Sequence, residues 1–406
     1  MTDGTPKLHR AGTHRAELLS ETLRRIAPLL PAMGITRIAD VTGLDRIGLP
    51  VVMVVRPNAR SLSVHQGKGL DLVAAKVSGA MEAVECFHAE HVTRPVRLAS
   101  LDEMAREAPL VDVADLPQRK GATFPPHRRI PWIEGRDLLD GGTLRWVPHE
   151  VVHADYTLPL PPGSGALQAT TNGLASGNTL AEAAAHALAE LVERDARALW
   201  WLRDPAAQRA SALDLASVDD PDCAGVLGRL ERTGMAVTVW DVTSDLSVPT
   251  FLCRMAEAGG PGDGGAYGAG THPERGIALL RALTEAAQSR LTRITGSRDD
   301  LLAGHYEGYA GFERDVFEEM APRRGDPLRR FRDVPSFEGA TLEEDLDWLL
   351  ARLASARLRQ AVLVELTRPE FDIPVVRMIV PGLEGMHTKS GYAPGPRARA
   401  LLGASA

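Results

Sequence analysis

Two pairs of glutamates far apart in the chain share one spacing. Gly69 is followed by Glu82 and Glu85, and Gly177, 108 residues later, by Glu190 and Glu193, at intervals of 13 and then 3 in both. The residues between are alanine-rich helix formers, LDLVAAKVSGAMEAVE and NTLAEAAAHALAELVE. At about 100° per residue, each pair falls on one helix face, a turn apart. Carboxylates are costly to bury unless they are paired or hold a metal. If the two helices face each other, four carboxylates form an all-oxygen site for a hard cation such as magnesium. That points to nucleotide phosphate chemistry. On the second helix, Glu182 and His186 share the face with Glu190 and Glu193. The turn residues Asn172, Ser176 and Asn178 lead into it, and a helix N-terminus offers N–H groups to an anion. The plain alternative is a solvated charged face; a register repeated in two helices argues against it.

Other motifs are weaker. The triplet GKG at 67–69 brings Lys68 near the first helix, but there is no GxxxxGK[ST] phosphate loop. Ser78 lies within about 60° of Glu82 and Glu85 on the wheel. In LLRALTEAAQSRLTRITGSRDDL, 279–301, Glu285 and Gln288 share a face, whereas Arg290 points about 140° from Glu285. Gln288 and Arg290 serve one ligand only if that helix sits edge-on or the arginine wraps around it. Arginine suits triphosphate oxygens, being always charged and bidentate. Glu85 to His88 spells ExxH, but Glu193 is followed at +3 by Ala196, so a di-iron bundle lacks its second half; His88 is expected to be a partly exposed helix residue. HEVVH at 149–153 matches the zincin pattern, yet Pro148 precedes it and YTLPLPP follows. A short turn or strand with surface histidines is expected there, without zinc. Cys86, Cys223 and Cys253 are scattered, with no CxxC pair, so neither a disulfide framework nor a structural zinc site is expected.

The rest of the chain bounds what these motifs can belong to. Its 406 residues carry a net charge of −7, so nucleic acid is a poor default partner. The start, MTDGTPKLHRAGTHRAELL, lacks an apolar signal region, and VVMVV at 51–55 is far too short for a membrane span. A cytoplasmic protein, not bound to membrane, is expected. At roughly 150 residues per domain, two or three subdomains are expected. The divisions are a helix and strands over 1–60, a nucleotide-binding core over 61–310, and a helix and strands completing it over 311–406.

Residues 17–31 read as an amphipathic helix stopped by Pro31, and 35–57 as strand, turn, strand. The first glutamate helix covers roughly 70–91, and 93–131 reads as a linker. A hairpin turns at Gly141-Gly142. The second glutamate motif occupies 170–201. MAVTVWDVT and VPTFLCRMA alternate as strands, and the glycine-rich 259–270 is a loop or bulged edge. A helix covers 273–293, loop and short helix 298–345, and a helix follows Thr341, with Glu344 at the capping-box position. AVLVELT and PVVRMIVPGLE close the chain as strands. Helices and neighbouring strands without regular alternation argue for an α+β layered fold.

Together, GKGLDLVAAKVSGAMEAVE, TNGLASGNTLAEAAAHALAELVERDA and RALTEAAQSR resemble the YcaO family of ATP-dependent peptide backbone amide-activating enzymes. The resemblance spans roughly 40–385 and implies an α+β fold with ATP between layers. By position, it implies that Glu82, Glu85, Glu190 and Glu193 hold magnesium. It further implies that Lys68, Ser78, Asn178, Glu182, Arg194, Gln288 and Arg290 contact the nucleotide, with Arg290 also acting in catalysis. Members often have arginine where this chain has Cys86, so a nucleotide contact from that position is not carried over. The implied chemistry is phosphorylation of an amide oxygen by ATP, then attack by a nucleophile: a neighbouring side chain gives an azoline, sulfide a thioamide, an amine an amidine. VTGLDRIGLPVV, WVPHEVVHADYTLPLPPGSG and LVERDA look like members working beside a TfuA-type partner, which implies thioamide formation. The ending APGPRARALLGASA lacks the proline-alternating tail of many azoline-forming members. No segment resembles a peptide-docking domain, so a separate TfuA-like or docking protein is expected to present the precursor peptide. A homodimer is left open. The competing readings are a catalytically silent nucleotide-binding accessory protein and, at HEVVH, a metal hydrolase.

Overall fold

The computed structural model describes residues 4–404 apart from 162, 259–264, 298–316, 318, 386 and 388–390. Three antiparallel sheets, each backed by a helix, set the frame. Strand β1 (Arg37–Asp40), β2 (Val51–Val55) and β3 (Val64–Lys68) form the first, in that order. VVMVV occupies its centre, because a strand covered on both faces must be apolar throughout. Against this sheet lies helix α2 (Leu72–Glu90), N-capped by Asp71, whose side chain accepts the N–H of Ala74. The approach is at backbone distance: a Cβ on Gly67 would stand 2.0 Å from the carbonyl oxygen of Ala75 and 2.2 Å from the nitrogen of Gly79. The small residues of α2 are what make that contact possible.

A six-stranded sheet runs β4 (Val96–Ala99), β5 (Ile130–Asp137), β13 (Val362–Glu365), β14 (Val375–Ile379), β7 (Leu174–Ser176), with β6 (Thr143–Pro148) paired on β5. Helix α4 (Leu180–Trp201) packs on β7 and β14, N-capped by Thr179. The third sheet orders β11 (Ala266–Thr271), β10 (Thr250–Glu257) and β9 (Met235–Asp241). Helix α7 (Arg275–Thr295) lies on it as α2 lies on its own sheet: a Cβ on Gly270 would meet the carbonyl oxygen of Ala278 at 2.1 Å. Among the described residues, no helix is long and apolar enough to cross a membrane.

Three stretches differ from expectation. The first helix is α1 (Leu19–Ile26), which passes into a 3-10 turn over Ala27–Met33 that contains Pro31 and ends at Gly34 in the left-handed region. Pro31 is tolerated because the tighter turn needs no α-helical bond from its missing N–H. The segment 93–131 holds strand β4 and a short helix, Leu101–Glu107, closed by a capping box between Ser100 and Glu103. At the helix Leu342–Ser355, Thr341 accepts the N–H of Glu344, while the Glu344 carboxylate reaches one residue past the cap to the N–H of Ala340. Residues 259–264 and most of 298–318 lie outside the described residues; 266–271 is a regular strand.

The segment 4–16 straps the front of the molecule. Thr5 donates from both its N–H and hydroxyl to Glu343, and the buried Lys7 ammonium sits 2.7 Å and 2.8 Å from the two oxygens of Asp345. His14, His272 and Asp345 cluster behind it. Lys7 already occupies Asp345, and Nδ1 of His272 accepts the Glu274 N–H, which leaves its proton on Nε2. Engaged in this way, with His14 also 3.2 Å from Glu274, these groups anchor the strap.

Candidate active site

Helices α2, α4 and α7 turn one face each toward a shared cavity of about 420 Å³. Its wall includes Lys68, Ser78, Glu82, Glu85, Asn178, Glu182, Glu190, Glu193, Arg194 and Gln288. The structure brings all of these together: Lys68 from the end of β3, Ser78, Glu82 and Glu85 from α2, Asn178 from the turn before α4, Glu182, Glu190, Glu193 and Arg194 from α4, and Gln288 from α7. It does not bring Arg290. That guanidinium is 2.8 Å from Asp45 and 2.7 Å from Glu257, on another side of α7. The cause is helical geometry: residues 281, 284, 285 and 288 share the cavity face at i, i+3, i+4 and i+7, and 290 does not.

Each carboxylate is placed by identifiable bonds. Glu85 accepts the N–H and the hydroxyl of Ser176, at 2.9 Å and 2.8 Å, across from β7. Glu190 accepts the N–H of Gly173 at 3.1 Å; Arg194 bridges Glu190 at 3.1 Å and Glu193 at 2.6 Å. Gly173 has φ +75°, and a Cβ there would stand 2.4 Å from the carbonyl oxygen of Met378, so the turn that aims this N–H requires glycine. Glu182 accepts the strap's Ala16 N–H at 2.9 Å, with Arg15 at 3.4 Å. Asn178 ties α1 to the site: its carbonyl accepts from Thr22 and Arg25, and its amide lies 3.3 Å from Glu182. Lys68 pairs with Glu285 at 2.9 Å.

Charge in the cavity is left unmatched in two places. Six carboxylates line it, Glu82, Glu85, Glu182, Glu190, Glu193 and Glu285, against four fixed cations, Arg15, Lys68, Arg194 and Arg281. Among the described residues Glu85 has no cationic partner, and Glu82 has within ion-pair reach only His65 Nδ1, at 3.6 Å. Burial drives the Glu85 carboxyl up to about 8; the Ser176 bonds oppose this, while Glu82 and Glu190 add to it. Glu190 is also raised, by burial first, despite Arg194. Carboxylates in this condition fit a divalent cation, whose charge would replace the proton. Glu285 is the opposite case: burial works against ionisation, but Lys68 and Arg194 hold its carboxyl low.

Sequence reasoning did not assign Arg15, His65, Arg281 or Glu285 to the site. Glu285 was recognisable by sharing a face with Gln288, and Arg281 by the same stripe. Arg15 was not, because a strap with long-range bonds carries no periodic signal. Cys86 lines the wall but is buried, and burial first, then the neighbouring carboxylates, push its thiol well up, which disfavours the thiolate a nucleophile needs. His88 is fully buried, packed edge-on to Phe87 and Phe371, which corrects its expected exposure. The HEVVH histidines are not both surface residues: His149 opens a 3-10 turn after β6 and is half-buried, while His153, just beyond that turn, is buried with its ring stacked 4.7 Å from His149.

Residues 66–384 match the family model described as YcaO cyclodehydratase, ATP- and Mg2+-binding. The chain is 37% identical over 387 residues to a protein from the tfuA 3′ region of Rhizobium leguminosarum bv. trifolii, covering 91% of this chain and 88% of that one. It is 33% identical over 398 residues to a Methanothermobacter thermautotrophicus protein, covering 90% and 94%. Among solved structures, YcaO from Methanopyrus kandleri, bound with AMPPCP and Mg2+, superimposes with a TM-score of 0.77 at 26% identity, over 97% and 98% of the two chains. A heterocyclase in complex with substrate and cofactor superimposes with a TM-score of 0.82 over 99% of this chain at 24% identity, a likeness of fold; this chain spans 56% of its length. With a family model matched over most of its length and a tfuA-region relative aligned along nearly all of it, the chain belongs to the YcaO family.

Proposed function

We propose that this chain uses ATP and magnesium to activate a backbone amide of a ribosomally made peptide, and that the product is a thioamide formed beside a TfuA-like partner. The observation that carries the reading is the split of unmatched charge in one cavity: among the described residues, Glu85 has no cationic partner and Glu82 only His65, while the Arg281 guanidinium has no carboxylate. A magnesium–polyphosphate is the ligand that matches both. Glu82, Glu85, Glu190 and Glu193 would hold magnesium, which neutralises phosphate charge, while Ser78, Asn178, Arg194 and Gln288 face the nucleotide.

The amide oxygen attacks the terminal phosphorus and ADP leaves. Sulfide then adds to the imidate carbon and phosphate leaves with the former amide oxygen, so oxygen is exchanged for sulfur with no change of oxidation state. Catalysis is largely positioning and charge neutralisation. The thioamide outcome rests on the tfuA-region relative; azoline or amidine formation would use the same activation with a different nucleophile.

The test is isotopic. Oxygen-18 in the peptide amide should appear in the released phosphate, and the product should gain about 16 mass units for a thioamide or lose about 18 for an azoline. Unlabelled phosphate from an assay in which the peptide is modified would eliminate O-phosphorylation.

A further inference from the structure

On the cavity face of α7, Arg281 stands one turn before Glu285 and two before Gln288. The single hydrogen bond of its guanidinium among the described residues runs from Nη2 to Nε2 of His186, at 3.0 Å. Its Nε is buried without a partner, and among the described residues no carboxylate lies within ion-pair reach. The nearby acids are already engaged: Glu285 with Lys68 and the Ala269 N–H, Glu182 with Arg15 and the Ala16 N–H. Arg15 is near enough that the two guanidiniums repel: burial first, opposed by Glu182, and then Arg281 lower the affinity of Arg15 for its proton. Burial and the surrounding cations keep His186 neutral. It can therefore hold the guanidinium by accepting a hydrogen bond without cancelling its charge. A fixed, uncancelled guanidinium beside a second one is a receptor for a multiply charged anion.

We infer that Arg281, held in place by His186, binds the polyphosphate oxygens of the nucleotide and is the α7 arginine of this site, whereas Arg290 is a structural ion-pair residue. The inference rests on the nucleotide reading above and adds to it a ligand contact at a position to which the family resemblance assigns no role.

The test is calorimetric titration of magnesium–ATP and magnesium–ADP into the wild-type protein and into Arg281→Met, Arg281→Lys and Arg290→Met, each with a thermal melt without nucleotide. Loss of a charge-assisted contact to phosphate should weaken ATP binding by about thirtyfold in Arg281→Met. Arg281→Lys, which keeps the charge, should recover most of that loss, and Arg290→Met should bind as the wild type does. Arg281→Met binding ATP within about threefold of the wild type would overturn the inference, as would Arg281→Lys being no better than Arg281→Met. A melting temperature that falls in Arg281→Met but not in Arg281→Lys, with ATP affinity of both near the wild-type value, would assign the residue to folding alone. If the wild-type protein takes up neither nucleotide, the nucleotide reading itself falls.

Discussion

Replacing Glu85 by glutamine should stabilise the metal-free protein and disable the loaded one. In the folded chain, burial first, opposed by Ser176 and reinforced by Glu82 and Glu190, sets the Glu85 carboxyl at about 8, against 4.5 for the unperturbed group. The folded state therefore keeps a proton that the unfolded chain releases. The associated stability is fully present below about pH 4.5 and is lost as pH rises from there through 8. Taken at face value the difference is about 5 kcal/mol, at 1.36 kcal/mol per pKa unit. Glu85 is only half-buried at the cavity wall, and water screens part of this, so about 2 kcal/mol is the expected size. Glutamine is neutral at every pH and can still accept from Ser176. Denaturant unfolding between pH 5 and 9, in the presence of chelator, should show the wild type falling behind Glu85→Gln by about 2 kcal/mol as pH rises. With magnesium and ATP the order should reverse, because the variant has lost a ligand. Parallel pH curves for the two proteins in chelator would refute the argument that this carboxyl is charge-strained.

Two further outcomes are expected. Glu82→Gln and Glu190→Gln should each weaken magnesium-dependent ATP binding at least tenfold by calorimetry, and unchanged affinity in both would remove the four-carboxylate site. Gly67→Ala should cost more than about 3 kcal/mol in a chemical melt, since the new Cβ would meet backbone atoms of α2 at 2.0 Å and 2.2 Å; a stability within about 0.5 kcal/mol of wild type would show that the sheet and helix can separate freely.

What was legible in the sequence was local and periodic. The first glutamate helix runs within two residues of its expected 70–91; the second ends at Trp201 as expected but starts at Leu180, the earlier part of 170–201 holding strand β7 at Leu174–Ser176, so the glutamate faces were legible and the strand before them was not. The strands at 51–55, 235–241 and 250–257 were readable from unbroken or alternating apolar residues. Strand β4 was not, since VRLA lies at a sheet edge with alternate residues exposed and a charge in its middle. The capping pair Ser100 and Glu103 was nonetheless present as a signal within the presumed linker. In the site, the 140° between Glu285 and Arg290 already opposed a shared ligand, and the structure resolves that tension by giving Arg290 to Asp45 and Glu257. Arg15 and its contact with Glu182 were invisible, because the strap is fixed by partners hundreds of positions away rather than by any repeat of its own.

That distance has a consequence for the living chain. Lys7 and its partner Asp345 are separated by 338 positions, and at roughly 5–20 residues per second of synthesis about 15–70 s pass between them. Until the helix that begins at Leu342 emerges, Thr5 and Lys7 lack their anchors Glu343 and Asp345, and the strap has on the earlier chain the contacts of His14 with Glu274 and of Arg15 and Ala16 with Glu182. Helices α2, α4 and α7 are all complete well before that. Strand β7, which carries Ser176 to Glu85 and follows the Gly173 turn that meets Glu190, pairs with β14 at Val375–Ile379, so the setting of the carboxylates and the strap that closes over them both wait for residues beyond Leu342.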